Sequence, residues 1–380
     1  MKTDNIFNIR YCKKCLLPNS RPGIKIGEDG ISNVWKDSIN EKSYIDWNKN
    51  EKAFKELVKY SKINSIGYDC LVPVSGGKDS TWQVLKCLEY GLNILAVTWK
   101  TPGRTKIGQK NLDNLVSLGV DHIDYQINPE VEKKFMYKSF KKYGTTGLPM
   151  HMALFNIPLK IAVKFKIPIV IWGENSAAEY GSDDPGFNGF KMDSEWLKKF
   201  GVMHGTTAKD WISEDLSKKE LTPYFGPTDK ELEKAGVRAV FLGQYFKWDP
   251  ETSLKVSKKN GFKVREKGPK TGFYNYADID DDFISIHHFL KWHKFGFTRL
   301  FDNLAIEIKN GRITKEEAIE IIRKEGTQEP FEDIEKLCKF LKITKKHFYE
   351  IVETFRNKNI WYEEKNKWKI KNFPISDWKW

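Results

Sequence analysis

The chain has 380 residues, of which 40% are hydrophobic, 14% aromatic and 30% charged, with a net charge of +13. At ~150 residues per domain this length makes two or three domains, the aromatic content excludes disorder over most of it, and the lack of any run of ~18 apolar residues excludes a spanning helix. Nine of the 64 basic residues are Arg, so the excess is Lys spread along the chain, which reads as a solvated surface rather than a nucleic-acid footprint.

Residues 1–43 read as an irregular, turn-rich segment carrying Cys12-Lys-Lys-Cys15, Pro18 and Pro22. The first ten residues show no apolar signal core, and five cysteines in a chain this long make no disulfide framework, so a reducing cytoplasm and no membrane are expected. A helix is expected from Tyr44 to Ile63, with Phe54, Leu57 and Val58 on one face. Then strands and helices alternate. Asp69–Val74, Leu92–Thr98, Val120–Ile127, Ile167–Trp172 and Arg238–Leu242 read as strands, although Pro73 is an unusual strand member. Thr81–Tyr90, Lys106–Leu118 and Met150–Phe165 read as helices, the second stopped by Gly119. This alternation predicts a parallel sheet with helices on both faces. The Gly/Asp/Lys-rich stretch Glu174–Lys230 is long for a connection and reads as an insertion covering the site. After Gln244 the pattern is mostly helical, and Thr314 with Glu317 makes a capping box. The expected domains are 1–43, 44–243 and 244–380.

The chemistry is written in Val74-Ser75-Gly76-Gly77-Lys78-Asp79-Ser80, at a strand end that opens a helix. Gly76 and Gly77 let the backbone approach a ligand or take positive φ. The helix N-terminus offers free N–H groups to an anion, Ser75, Ser80 and Thr81 offer hydroxyls, and Lys78 adds a cation. Asp79 among anions makes sense if it holds a Mg²⁺ shared with phosphates. A Walker A loop is excluded, because Val72 stands where its first Gly would be and Asp79 where its Ser/Thr would be.

Ser75-Gly-Gly-Lys-Asp-Ser80 resembles the PP-loop of the N-type ATP pyrophosphatases, a HUP-like fold. The resemblance implies ATP cleavage between the α and β phosphates and adenylation of a substrate oxygen, with adenine against Val97 and Thr98. Further pieces are similar to bacterial N-acetyl sugar amidotransferases of the WbpG and PseA type. They are Cys12-x-x-Cys15-Leu-Leu-Pro18, Arg21-Pro-Gly-Ile24, Glu28-Asp-Gly30, Ile45-Asp-Trp47, Ile171-Trp-Gly-Glu-Asn175 with Tyr180-Gly181, Leu242-Gly-Gln-Tyr245 with Trp248-Asp249, and Gly311-Arg-Ile-Thr314 with Glu316-Glu-Ala318. That resemblance implies conversion of an N-acetyl group on a surface-polysaccharide or flagellar sugar, free or nucleotide-linked, into an acetamidino group. ATP and Mg²⁺ are the implied cofactors. No Cys sits in a glutaminase elbow, so the resemblance also implies a separate glutaminase subunit, HisH-like and HisF-like, supplying ammonia.

Lys78, Asp79 and Glu174 are the candidate catalytic residues, and Arg104, Asn175 and Arg299 the candidate substrate contacts. Lys106 and Arg312 are further cations that could reach a phosphate or sugar. The family's second cysteine pair is replaced by Ser32 and Trp35, which leaves Cys12 and Cys15 as an incomplete zinc site, so no bound zinc is expected. Asp183 and Asp184 read as a loop pair, and His287, His288 and His293 near Trp292 as packing groups. The rival readings are a tRNA-modifying PP-loop enzyme of thiolation or lysidine type, which would retain tRNA at physiological salt, and a nucleotide-binding regulator on the same fold.

Overall fold

The computed structural model describes residues 8–41, 45–173, 192–200 and 203–380. Five parallel strands form the central sheet: β1 (Cys70–Pro73), β2 (Ile94–Trp99), β3 (Asp121–Tyr125), β4 (Ile169–Trp172) and β5 (Arg238–Phe241). Their order is β3-β2-β1-β4-β5, with Val72 opposite Ala96 and Cys70 opposite Ile169. The chain therefore reverses direction of growth beside β1, and the crevice at the carboxyl ends of β1 and β4 is the switch point where such sheets take ligands.

Continuous apolar runs give these strands because both faces are covered. Leu71, Leu95, Val97, Val170 and Phe241 enter one core. Their alternates Cys70, Val72, Ile94, Ala96 and Ile171 enter the other. The helices before the sheet are α1 (Asn33–Glu41) and α2 (Trp47–Asn64); α3 (Lys78–Glu89) and α4 (Lys106–Val116) follow β1 and β2. Phe54 and Leu57 of α2, Val84 of α3 and Leu112 of α4 lie in the second core. On the other face lie α5 (Pro129–Tyr143) and α6 (Gly147–Phe165). Thr105 caps α4 by accepting from Gly108 N, and α5 starts on Asn128 with Pro129 in its first turn and ends on left-handed Gly144.

The next helices are α7 (Ser194–Phe200) and α8 (Asp229–Lys234), ahead of β5. The C-terminal part is helical as expected: α9 (Pro250–Lys259), α10 (Ile284–Phe295), α11 (Arg299–Lys309), α12 (Lys315–Glu325), α13 (Phe331–Leu341) and α14 (Lys345–Thr354). The capping box at Thr314 forms. A final hairpin, β6 (Trp361–Glu364) with β7 (Lys367–Ile370), was not expected from the sequence.

Several expectations are corrected. The N-terminal segment contains a helix, α1, and its Cys12, Cys15, Leu16 and Val34 share one core with Leu300, Leu304 and Trp378. Packing against the C-terminal helices supplies the burial that so short a segment cannot make itself. Of the described part of the Glu174–Lys230 stretch, Trp196 reaches the wall of the cavity at the strand ends, while Met203, Trp211, Leu216 and Tyr224 pack into the core on the α5–α6 face. Residues 174–191 lie outside the described residues, and with them Glu174, Asn175, Tyr180, Gly181, Asp183 and Asp184. No helix among the described residues is long and apolar enough to cross a membrane.

Gly76 has φ +85°, and a Cβ there would stand 2.8 Å from Leu112 N and 3.0 Å from Gly108 O. The backbone that approaches Gly76 is thus α4. Gly76→Ala is expected to cost ~2 kcal/mol or more through positive φ and overlap with backbone. Gly67→Ala, with open space at its Cβ, is expected to stay within ~0.5 kcal/mol of the parent. Urea midpoints measure both, and equal midpoints for the two variants contradict this packing.

Candidate active site

The turn after β1 places its polar groups by local bonds. Gly77 is the N-cap of α3. Ser80 Oγ and Thr81 Oγ1 both donate to Gly77 O at 3.0 Å, and Ser75 Oγ accepts from Gly77 N at 3.3 Å. The first N–H groups of α3 have no intrahelical acceptor and face the crevice end of the sheet. Lys78 is buried, with Nζ 2.6 Å from both carboxylate oxygens of Asp79. Trp248 Nε1 donates to Asp79 Oδ1 at 3.0 Å, and Lys78 Nζ lies 5.3 Å from the Trp248 ring and 5.5 Å from that of Tyr276. Ser257 Oγ, on α9, donates to Lys78 O at 2.7 Å. Lys78 and Asp79 are thereby held in one orientation from outside the loop.

These residues open onto a cavity of about 470 Å³ lined by Ser75, Gly77, Lys78, Asp79 and Ser80. Thr98 and Trp99 at the end of β2 and Trp172 and Gly173 at the end of β4 form further walls. Val97 points the other way, into the core, since side chains alternate along a strand. Gly76 and Thr81 are also off the wall: Gly76 abuts α4 and Thr81 is fully buried. Thr98 Oγ1 is 2.9 Å from His122 Nε2, and Trp99 Nε1 donates to buried Glu132 at 2.7 Å. The buried indole N–H of Trp172 has no acceptor among the described residues.

The fourth wall is a strap from the C-terminal part, which sequence reasoning missed. Tyr274, Tyr276, Ala277, Asp278, Ile279, Asp280 and Asp281 cross the cavity. Arg265 donates to the carbonyls of Ala277 and Asp278, and the Asp280 carboxylate bonds to Ser75. Burial, with Asp280 beside it, pushes Asp281 up to about 7 against the bond from Phe283 N. Beyond the strap, Arg299, Asn303 and Ile306 of α11 and His151 of α6 complete the wall.

The remaining candidate cations divide. Arg299 lines the cavity, 3.7 Å from Asp278 and 3.8 Å from Asp302. Arg104 lines it too, but its guanidinium is committed to both oxygens of Asp124 at 2.6 and 2.7 Å and to Gln109. Arg312 is off the wall, paired with Glu307 at 2.6 Å and Asp249 at 3.1 Å. Lys106 only opens α4. His287 and His288 are held by Thr145 at 3.0 Å and Thr271 at 3.4 Å, behind the wall. His293 faces the C-terminal hairpin, where its carbonyl accepts from Trp361.

The five cysteines are all buried. Ser32 bonds both members of the N-terminal pair, donating from its N to Cys12 Sγ at 3.3 Å and lying 3.4 Å from Cys15 Sγ through Oγ. Cys70 and Cys87 are side by side between β1 and α3, and burial pushes the Cys70 thiol up. That is the setting of inert thiols. Among the described residues no group of three or more His, Cys, Asp or Glu could hold a metal ion by itself.

Residues 270–373, which supply the strap and α11, match the family of LPS biosynthesis protein WbpG-like, C-terminal domain. No curated protein sequence matches the chain. Among solved structures, NMN synthetase from Francisella tularensis is 16% identical with a TM-score of 0.28, covering 59% of this chain and 90% of that one. The U34-tRNA thiolase NcsA from Methanococcus maripaludis, with its [4Fe-4S] cluster, is 15% identical with a TM-score of 0.27, covering 87% and 95%.

Burial pushes the Glu132 carboxyl up to about 8, the bond from Trp99 opposing it. Between its ordinary range and pH 8 the folded chain keeps a proton that the unfolded chain has released, so stability falls as pH rises through that window. Glu132→Gln keeps an acceptor for Trp99 and removes the titration. The variant is expected to gain on the parent by up to ~1.4 kcal/mol per pH unit from pH 5 to 8. A difference in melting temperature that does not change with pH contradicts this.

Proposed function

We propose that this chain is an ATP-dependent amidotransferase that adenylates the N-acetyl amide oxygen of a surface-polysaccharide or flagellar sugar and replaces it with ammonia. The products are an acetamidino sugar, AMP and pyrophosphate. The observation that carries the reading is that one cavity is shared by the Ser75–Ser80 loop and by Tyr274–Asp281, which lies in the stretch matching a lipopolysaccharide-biosynthesis family.

An amide oxygen leaves poorly, and adenylation turns it into the oxygen of a phosphate ester that leaves with AMP. Loop N–H groups and Lys78 stabilise charge that develops on the departing pyrophosphate. The Asp79 carboxylate is bonded by Lys78 and Trp248 and lines the cavity. Its hard carboxylate suits a Mg²⁺ whose other ligands are phosphate oxygens and water. Bound there, Mg²⁺ would neutralise phosphate charge. Of the two residues expected against adenine, Thr98 at the end of β2 lines this cavity and Val97 does not. Arg299 and Asn303 face the same cavity from α11 and supply donors for the sugar or its nucleotide.

Ammonia comes from a separate glutaminase subunit, HisH-like and HisF-like. The buried state of all five cysteines supports this, because a glutaminase thiolate must reach its substrate.

The test is pyrophosphate release from ATP and Mg²⁺ with a panel of CMP- and UDP-linked N-acetyl sugars, with mass spectrometry on the sugars. With ammonium, one sugar is expected to lose the mass difference between O and NH; with glutamine alone, none. Pyrophosphate release that requires tRNA and leaves every sugar unchanged contradicts the reading. Turnover with glutamine by the isolated chain contradicts the separate ammonia source.

A further inference from the structure

His151 was not singled out by its sequence context, yet it stands on the cavity wall. It lies in the first turns of α6, a helix otherwise dominated by apolar side chains. Its Nδ1 is 2.6 Å from the carbonyl oxygen of Gly147. A carbonyl only accepts, so Nδ1 carries the hydrogen and Nε2 carries a lone pair. No described residue donates to that nitrogen. The ring is backed by His287, with centroids 6.2 Å apart.

The groups around this ring are cationic or neutral. Lys291, His287 and His288 come from α10, and His204 from the segment before β5. Burial and then Lys291 hold His151 below its ordinary range, the Gly147 carbonyl opposing them. A neutral imidazole with a fixed tautomer is a proton acceptor. The four carboxylates on the same wall are engaged: Asp79 by Lys78, Asp278 by His288 and Arg299 at 3.6 and 3.7 Å, Asp280 by Ser75, and Asp281 by Phe283 N. Trp172 is an independent sign that this side takes a polar group. Its indole N–H is buried without an acceptor among the described residues, and its ring contacts Phe155, one helical turn from His151.

We infer that His151 is the base that takes the proton from ammonia as its nitrogen bonds to the adenylated acceptor carbon; the inference rests on the amidotransferase reading above. Attack forms the new C–N bond, sends the π pair of the existing C=N bond onto the sugar nitrogen, and leaves a positive charge on the incoming nitrogen. His151 Nε2 removes one proton from it. The freed electron pair moves into the C–N bond, the C–O bond breaks, and its electron pair departs on AMP. The amidinium product leaves, and the proton on His151 passes to water. Ammonia is the only co-reactant the step requires.

The experiment separates the two half-reactions in the full-length chain. Adenylation is read as isotope exchange between ATP and pyrophosphate, with the acceptor sugar present and ammonium omitted. Amidine formation is read by mass spectrometry after ammonium is added. His151→Gln is expected to keep exchange near the parent level and to slow amidine formation ~10²-fold or more, the usual worth of a positioned base. His151→Asn is the second variant and is expected to behave alike. Unchanged amidine formation overturns the inference alone, as does a loss of exchange equal to the loss of amidine in both variants. If the parent itself shows neither exchange nor amidine with any acceptor, the amidotransferase reading falls and takes the inference with it.

Discussion

The site depends on the seam that ties residues 279–282 to the start of α4. Thr105 N donates to Asp280 O at 3.1 Å, and Asp282 N donates to Gly103 O at 2.8 Å. Thr105 Oγ1 donates to Ile279 O, and Arg104 bridges Asp281 in an isolated antiparallel pair. Two glycines permit this closeness. A Cβ on Gly103 would stand 2.2 Å from Asp281 Oδ1, and one on Gly108 would stand 2.5 Å from Asp280 Cα. Each main-chain bond is worth only ~1 kcal/mol net, so the seam holds by number and fit. Its consequence is functional: it carries Asp280 to Ser75 and Tyr276 to Lys78. An open crevice at the carboxyl ends of the strands becomes a cavity with a roof, in which electrostatic interactions are strengthened.

A second constraint holds the far wall. Asp302 is buried, and burial alone would raise its carboxyl. Lys291, Arg21 and Arg299 instead hold it well below the usual carboxylate range. Arg21 Nε is 2.7 Å away and Lys291 Nζ is 3.0 Å away. The cluster joins the N-terminal segment, α10 and α11 behind the wall that carries Arg299 and His151. Lys270 does the same beneath the strap, bridging Asp282 and Asp333. Desolvation takes back much of what such buried pairs gain. Their larger effect is to fix where the strap and α11 sit relative to the loop.

What the sequence makes legible is local. Strands buried on both faces show as apolar runs, and the loop shows as Gly-Gly-Lys-Asp-Ser after one of them. The capping box at Thr314 is written in four residues. The roof is not local: Tyr274–Asp282 has no helix or strand period, and its bonds run to residues 75, 103 and 105. Gly76 was legible as a special backbone position, but not that α4 is what presses on it. Arg104 and Arg312 look like free cations until Asp124 and Asp249 arrive from elsewhere in the chain and Glu307, five residues upstream, closes on Arg312. His151 left one signal, a titratable ring one turn into an apolar helix, and only the fold puts that ring on the cavity.

The central claim is that the acceptor's own amide oxygen leaves with AMP. The direct measurement is to label the N-acetyl carbonyl oxygen with ¹⁸O, run one turnover with ATP and ammonium, and weigh the AMP. The account predicts that the label is found in the AMP phosphate. Label retained by the sugar, or lost to water with AMP unlabelled, contradicts it.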